Sequence, residues 1–279
     1  MSLDPQAVRR IVDAALREDV GRGDVTTEAI VPVGLAGRSV LIAKQPLVVA
    51  GLDVARAVFE AVDPAVRWDP QVSDSDTVAA GRLLGSVYGP ARALLTAERV
   101  ALNFLQRLSG IATLTRRFVD AVAGTRARIR DTRKTTPLLR TLEKYAVEVG
   151  GGVSHRPGLD GGILVKENHI RLAGSVGAAT RRALDARGDM TVEVEVERLD
   201  QIDEAIGAGA QLLLVDNFGV EQVREAVALV GGRVPIEVSG GIRLDTVRDY
   251  ARTGADYIAV GALTHSAPAV DISLETEPA

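Results

Sequence analysis

Short aliphatic runs in this chain end repeatedly on charged residues or glycines. One run leads into Asp131-Thr132-Arg133-Lys134, and the next into Lys166-Glu167-Asn168-His169. Glu195 with Glu197, Asp216-Asn217, Ser239-Gly240-Gly241 and Gly261-Ala262 follow in the same manner. Arginines and lysines gathered in one place bind anions, and arginine grips a carboxylate with two parallel hydrogen bonds. Carboxylates there, such as Glu195 aided by Asp216, suit a hydrated Mg²⁺ or sugar hydroxyls. Glycines let the backbone approach an anion, and a helix N-terminus offers free N–H groups to it. Ser239-Gly240-Gly241-Ile242 and Gly261-Ala262-Leu263 each read as a strand exit opening a helix, and so as two successive phosphate loops. The plainer alternative is that these glycines only permit tight turns. The run Gly150-Gly151-Gly152 delivers His155 and Arg156 on a flexible loop, and all three histidines (His155, His169 and His265) fall near predicted strand exits or loops.

These residues need elements to hold them. Strand-like runs are expected at Ala127–Asp131, Gly162–Lys166, Thr191–Val196, Leu212–Asp216, Pro235–Val238 and Tyr257–Val260. Helical stretches fill the gaps, at Leu199–Ala208, Val220–Val230 and Leu244–Thr253. This alternation is the signature of βα units around a parallel sheet, and the absence of a dinucleotide fingerprint favours a barrel over an open doubly wound sheet. In a barrel, chemistry gathers where strands end, so the aliphatic strand interiors and charged exits agree with one another. The run from Thr191 to Glu197 reads T-V-E-V-E-V-E. Alternation turns Val192, Val194 and Val196 to one face and Glu193, Glu195 and Glu197 to the other. Inside a barrel those glutamates need cations, which Arg133, Lys134 and Lys166 could supply. An edge strand with a solvated glutamate face is the alternative.

The first part of the chain has a different pattern. Asp4–Glu18 is periodic as a helix, with Val8, Ile11, Val12, Ala15 and Leu16 on one face, and Gly21-Arg22-Gly23-Asp24 ends it. Short β-like runs (Ser39–Ala43, Leu83–Tyr88) flank a helical piece at Asp53–Val62, which reads as a small α+β domain. A helix is expected from a Thr96 N-cap to Leu108, stopping at Ser109-Gly110, and a second from Ile111 to Ala123. Arg99 then sits in a first helical turn, where a cation opposes the helix dipole; it faces an anion, in a neighbouring subunit's site, or is there by chance. The residues from Ala267 pack back elsewhere or fray.

Composition bounds the function. With 279 residues, 46% hydrophobic, only 3% aromatic and a net charge of −4, nothing points to nucleic acid or a membrane surface. There is no cysteine, which removes disulfides, thiolate metal sites and cysteine nucleophiles. No Ser-His-Asp arrangement asks for a covalent mechanism. The charged N-terminus lacks a signal-peptide core, so a cytoplasmic location is expected.

Taken in order, these motifs resemble those of the quinolinate phosphoribosyltransferases (carboxylating nicotinate-nucleotide pyrophosphorylases). The resemblance runs through Glu18-Asp19-Val20-Gly21-Arg22-Gly23-Asp24-Val25-Thr26-Thr27, Asp131-Thr132-Arg133-Lys134-Thr135, Lys144-Tyr145-Ala146-Val147 and Gly150-Gly151-Gly152 leading to His155-Arg156. It continues through Lys166-Glu167-Asn168-His169, the E-V-E-V-E strand, Leu214-Val215-Asp216-Asn217-Phe218 and Ser239-Gly240-Gly241-Ile242, and so covers essentially the whole chain. It implies an N-terminal α/β sandwich domain (1–110, joined by the tail 267–279) and a C-terminal incomplete, seven-stranded α/β barrel (111–266). The implied reaction moves phosphoribosyl from phosphoribosyl pyrophosphate to quinolinate with decarboxylation, yielding nicotinic acid mononucleotide for NAD biosynthesis. The implied cofactor is Mg²⁺, and the implied assembly is a homodimer with shared active sites, or a higher oligomer. Carried over by motif, Arg133, His155 and Arg156 bind the pyridine carboxylates, with Arg99 contributed across the dimer. Lys134 and Lys166 address the pyrophosphate and reacting centre. Glu195 and Asp216 address the ribose hydroxyls and Mg²⁺, the metal through substrate and water. Ser239, Gly240, Gly241 and Gly261 cradle the 5′-phosphate.

The chain departs from the family pattern at Ser154, where Asn often precedes the His-Arg pair, at Glu167, where Asp often follows the lysine, and at Leu138, where glycine is common. Those departures leave open a paralogue with another acceptor, nicotinate or that of the molybdenum-associated relatives. A phosphate-binding barrel aldolase with Lys166 as its Schiff-base lysine and a non-catalytic metabolite-binding barrel are the remaining alternatives.

Overall fold

The structure, a computed structural model, describes residues 3–279, and the chain divides into two compact units. The first holds its described residues up to Arg116 together with Thr135–Gly151 and Thr264–Ala279; the second holds Arg117–Lys134 and Gly152–Leu263. Residues 135–151, expected in the barrel, therefore belong to the first unit.

In the first unit, helix α1 (Pro5–Val20) is capped by Asp4, whose carboxylate accepts from Gln6 N and Ala7 N. The Gly21–Asp24 break follows as expected. Asp24 then caps a short helix, α2 (Val25–Ile30), through Thr27 N at 3.0 Å. Strands β1 (Ala36–Ala43), β2 (Leu47–Val48), β3 (Arg67–Pro70), β4 (Thr77–Val78) and β5 (Leu83–Pro90) flank helix α3 (Leu52–Val62). β1 alternates buried and part-exposed residues, which fits a strand with one face on a core. The tail does not fray: its strand, Ile272–Pro278, pairs antiparallel with β1 and completes a sheet whose other members are β5 and β3.

The helix after β5 differs from expectation. Helix α4 runs unbroken over 31 residues, Ala91–Ala121. Thr96 is not a cap; its hydroxyl reaches Asp24 at 3.3 Å. Arg99 accordingly lies in the third turn, and the argument from an opposed helix dipole does not apply to it. Ser109-Gly110 does not stop the helix, because the pair serves tertiary packing. Ser109 Oγ accepts from Ala50 N at 3.0 Å and donates to Ala50 O at 3.2 Å. A side chain on Gly110 would collide with the Pro268 carbonyl.

Helix α5 (Arg140–Val149) carries Glu143, fully buried, whose carboxylate accepts from Thr136 N, Thr136 Oγ1 and Arg107 Nη2 at 3.0, 2.8 and 2.8 Å. Arg107 also donates to the carbonyls of Thr264 and Ala267. This buried ion pair ties α4, the 135–139 loop and the tail to one another; removing one partner of such a pair costs about 3–5 kcal/mol.

The second unit alternates β6 (Arg128–Arg130), β7 (Ile163–Val165), α6 (Glu167–Ala173), α7 (Val176–Ala186), β8 (Val192–Val196), α8 (Asp200–Gly207), β9 (Leu212–Asp216), α9 (Val220–Val230), β10 (Ile236–Ser239), α10 (Val247–Ala251), β11 (Tyr257–Ala259) and α11 (Ala262–His265). All six strands are parallel, in the order β6-β11-β10-β9-β8-β7. A seventh position, beyond β6, is a single parallel bridge between Arg130 and Val153. β7 ends the sheet on the other side, so the barrel is incomplete. Val192, Val194 and Val196 are all fully buried, each contributing about 1.5–3 kcal/mol of hydrophobic stabilisation.

Leu138 is the residue that stands where the resembled family commonly has glycine. Its φ is 68°, in the left-handed region, and its side chain is 90% exposed. The backbone conformation suited to glycine is thus kept at a side chain that resists it. Leu138→Gly is expected to raise stability by about 1 kcal/mol in urea unfolding of the full chain. A decrease would show that the leucine side chain is held by some other contact.

Candidate active site

The C-terminal ends of the parallel strands bring the predicted residues together in the second unit. Lys166 follows β7 and Glu195 lies in the C-terminal half of the neighbouring β8; their Nζ and Oε2 are 3.2 Å apart. The cation expected to face Glu195 is therefore Lys166. Next in the sheet, Asp216 ends β9 and pairs in register with Ser239 at the end of β10. Asn217, at φ 59°, donates its backbone N–H to Ser239 O (2.9 Å) and its amide to Asp216 Oδ2 (2.7 Å). Gly240 sits so close to Asn217 that a Cβ would overlap its side chain, so glycine is required there for packing. Ser239-Gly240-Gly241 does not lead straight into a helix, as five residues separate Gly241 from α10. Gly261 does: α11 begins at the next residue.

The strand interior is not wholly aliphatic. Arg130 ends β6, Glu193 is second in β8 and Glu237 second in β10; the two glutamates meet His155, and Arg130 meets Glu237. Arg130 Nη1 lies 2.5 Å from Glu237 Oε2, His155 Nε2 is 2.9 Å from Glu193 Oε2 and 3.7 Å from Glu237 Oε1. The Arg130 guanidinium stacks over the Tyr257 ring at 4.7 Å. Glu193 thus points inward with Glu195, as the alternation requires. Glu197 does not; it lies past the strand end and is exposed. Glu237 and Arg130 are absent from the sequence expectation. The signal for Glu237 was present, in a lone acidic residue between Ile236 and Val238 in a strand buried on both faces.

His155, Glu193 and Glu237 are the one cluster among the described residues whose ligand atoms could converge on a metal ion, lying within 4.8 Å of one another. Arg130 already supplies a cation there, so the cluster is balanced without a metal. Glu195 and Asp216 present carboxylate oxygens at strand ends, the donor type that Mg²⁺ takes, but too few to enclose an ion alone. Such a site fits an ion that arrives with substrate oxygens and water.

Arg133 and Arg156 are the two arginines expected to bind carboxylates. Arg156 follows His155 and donates Nη1 to Gly162 O at 2.9 Å. Each guanidinium keeps a buried Nε without a hydrogen-bond partner. Burial, and next the positive charge of Arg133, pull the Arg156 pKa down. The charge of Glu193 works in the opposite direction, raising it. Lys134 is exposed beside them. Arg99 is exposed on α4, in the first unit. His169 caps α6 by accepting from Lys166 N at 2.9 Å, and His265 bonds the adjacent Ser266 at 2.6 Å, so neither joins the cluster.

Burial drives Glu193 and Glu237 up to about 7, the second also through the charge of the first, while Arg130 works against both. The folded protein therefore holds protons that the unfolded chain has released. The stability they contribute is full below the ordinary carboxyl range and is lost as pH rises through about 7. Glu237→Gln cannot ionise, so its stability relative to the parent is expected to climb between about pH 5 and pH 8. Thermal unfolding across that range checks it, and a pH-independent difference would refute it.

Comparison with known proteins agrees with this geometry. The family model described as quinolinate phosphoribosyl transferase, N-terminal domain, matches residues 24–109, and its C-terminal counterpart matches residues 111–275. A carboxylating nicotinate-nucleotide pyrophosphorylase of Mycobacterium leprae is 46% identical over 275 residues, covering 96% of this chain and 97% of that protein. A decarboxylating quinolinate phosphoribosyltransferase of Nicotiana glauca is 39% identical, covering 97% of this chain and 82% of its own. The crystal structure of NadC from Streptococcus pyogenes superimposes with a TM-score of 0.96 at 42% identity, over 100% of this chain and 99% of that one. The chain belongs to the quinolinate phosphoribosyl transferase family.

Proposed function

We propose that this chain transfers phosphoribosyl from phosphoribosyl pyrophosphate to quinolinate and releases CO₂, making nicotinic acid mononucleotide for NAD biosynthesis. The observation that carries this reading is the opposed pair Arg133 and Arg156, each with an unpartnered buried Nε. Quinolinate has two adjacent carboxylates whose mutual repulsion such a pair offsets.

The pyridine nitrogen attacks ribose C1 as the C1–oxygen bond breaks, and that electron pair leaves with pyrophosphate. Positive charge grows on the sugar, where Glu195 and Asp216 stand; negative charge grows on the leaving group, which Lys134 and Lys166 address. The 5′-phosphate rests on the Ser239–Gly241 turn and Gly261. The ring nitrogen, now cationic, stabilises the electron pair left on the adjacent ring carbon when its carboxylate departs as CO₂, and a proton then bonds to that pair. Mg²⁺, held by Glu195 and Asp216 through substrate and water, would offset part of the pyrophosphate charge. Nothing in this sequence needs a covalent nucleophile, only position and electrostatics.

Lys166 is paired with the Glu195 carboxylate at 3.2 Å, whereas a Schiff-base aldolase requires a desolvated, unpaired amine. The departures from the family are absorbed locally. Ser154 Oγ donates to Asp131 at 3.2 Å, and the Glu167 side chain turns to Arg171 on its own helix.

The chain is further proposed to act as a cytoplasmic homodimer in which Arg99 completes the partner's site. Among the described residues no helix is long and apolar enough to cross a membrane. Leu159 and Leu172, 73% and 87% exposed, stand close to the open edge at β7 in sequence and offer apolar surface to a second copy.

With Mg²⁺ and phosphoribosyl pyrophosphate, quinolinate is expected to yield nicotinic acid mononucleotide and CO₂, read by pyrophosphate release and product mass. Product from nicotinate alone would overturn the acceptor. Arg133→Ala and Lys134→Ala are each expected to abolish turnover with circular dichroism unchanged; an active Arg133→Ala protein removes the acceptor-site assignment. Mixing inactive Arg99→Ala with inactive Arg133→Ala should restore about a quarter of wild-type activity if sites are shared in a two-fold dimer, and none if each chain works alone.

A further inference from the structure

Two segments that continue from donor-binding residues end on one buried ion pair. The loop carrying Arg133 and Lys134 runs through Thr135 to Thr136, whose backbone N–H and hydroxyl both donate to the Glu143 carboxylate, at 3.0 and 2.8 Å. Arg140 Nε holds the same loop by donating to the Thr135 hydroxyl at 3.0 Å. Gly261 opens the four-residue helix α11, and Thr264 is the third residue of that helix. A helix so short cannot satisfy its own terminal carbonyls. Arg107 answers them: its guanidinium donates to Thr264 O, to Ala267 O at 2.7 Å and to Glu143 Oε1 at 2.8 Å. Arg107, Thr136, Glu143, Thr264 and Ala267 all belong to the first unit. Thr136 follows Lys134 by two residues and Thr264 follows Gly261 by three, so little slack in the chain separates either donor-binding residue from the pair.

We propose that Arg107 and Glu143 are positioning residues for the phosphoribosyl donor: their ion pair fixes the spacing between the loop end that follows Lys134 and the helix end that follows Gly261. This rests on the reading of Lys134 as a pyrophosphate contact and of Gly261 as part of the 5′-phosphate cradle. Phosphoribosyl pyrophosphate carries anions at opposite ends of one sugar ring, so the two places that receive them must keep one separation. A planar guanidinium suits that task, because its donors are fixed in direction and meet acceptors from two segments at once. An ammonium on a flexible stem holds no such fork. The acceptor is also addressed by His155 and Arg156, carried on a different loop, so its binding depends less on this spacing.

The test is steady-state kinetics of the full chain with Mg²⁺, varying phosphoribosyl pyrophosphate and quinolinate in turn. Thr136→Val removes the hydroxyl but keeps the backbone N–H and the ion pair. It is expected to raise the KM for phosphoribosyl pyrophosphate about fivefold, with the KM for quinolinate within about twofold of wild type. Thr136→Ser restores the hydroxyl and is expected to return the donor KM to within about twofold of wild type. Arg107→Lys keeps a charge opposite Glu143 and loses the fork, and is expected to raise the donor KM about tenfold. It is also expected to weaken inhibition by both pyrophosphate and ribose 5-phosphate, which read the two ends of the donor separately. An unchanged donor KM, an equal rise in both KM values, or a Thr136→Ser protein as impaired as Thr136→Val overturns the proposal. So does an Arg107→Lys protein in which only one of the two inhibitors weakens, since the pair then serves one end alone. If Arg107→Lys does not fold, the two Thr136 variants decide. A wild type that makes no product from phosphoribosyl pyrophosphate overturns the functional reading and the proposal with it, whereas an active wild type with unmoved variants overturns the proposal alone.

Discussion

Carboxyl groups inside a barrel must hold a proton or be accompanied by cations, and the second unit is arranged around that constraint. Glu193 and Glu237 are 4% and 0% exposed. Desolvating such groups costs several kcal/mol each even after relaxation. Arg130 and His155 are the compensation, and their positions are not free. Arg130 must end β6 to meet Glu237 on β10, and His155 must follow Val153, whose bridge to Arg130 starts the loop. The Gly150–Gly152 run can thus be read as the connection that lets the chain return beside β6 and deliver its histidine inward.

The first unit repeats this logic with a different pair. Glu143 is fully buried on α5 and Arg107 answers it from α4. Because Glu143 spends its other oxygen on Thr136, the same ion pair also fixes the segment directly after Arg133-Lys134. Aliphatic packing makes the bulk of both cores, but aliphatic contacts alone leave many near-equivalent arrangements. The buried ion pairs select among them, because a shift of one residue would leave a charge alone.

Much of this was legible in the sequence. The six strands lie where the aliphatic runs lie, and α9 spans the residues that periodicity predicts. The continuity of α4 was not legible. Ser109-Gly110 is a stop signal by local rules, yet its hydroxyl and its missing side chain are used by Ala50 and Pro268, residues distant in sequence. Arg99 was misplaced in its helix because Thr96 reads as an N-cap by local rules, whereas its hydroxyl is used by Asp24 and the helix starts at Ala91. At the site, charged strand exits are a pattern that spacing displays, so Lys166, Glu195, Asp216 and Ser239 could be named. Arg130 and Glu237 lie within strands, and only the closed geometry shows that they meet. The partners of His155 were hidden likewise, since they come from strands β8 and β10.

The contrast between the two kinds of charge in the barrel carries the functional argument furthest. Every buried carboxylate in the cluster faces a cation or an imidazole, and Glu195 has Lys166. Arg133 and Arg156 face each other instead. In a chain of net charge −4, Glu193 offsets part of the Arg156 charge, but both guanidinium groups keep a buried Nε without a hydrogen-bond partner, a cost that folding alone would not select. On the proposed reading the missing carboxylates belong to the substrate. Arg130 answers Glu237 directly, so the cluster's remaining pull on Arg156 comes from Glu193, and the positive charge that it leaves uncompensated is directed at the acceptor.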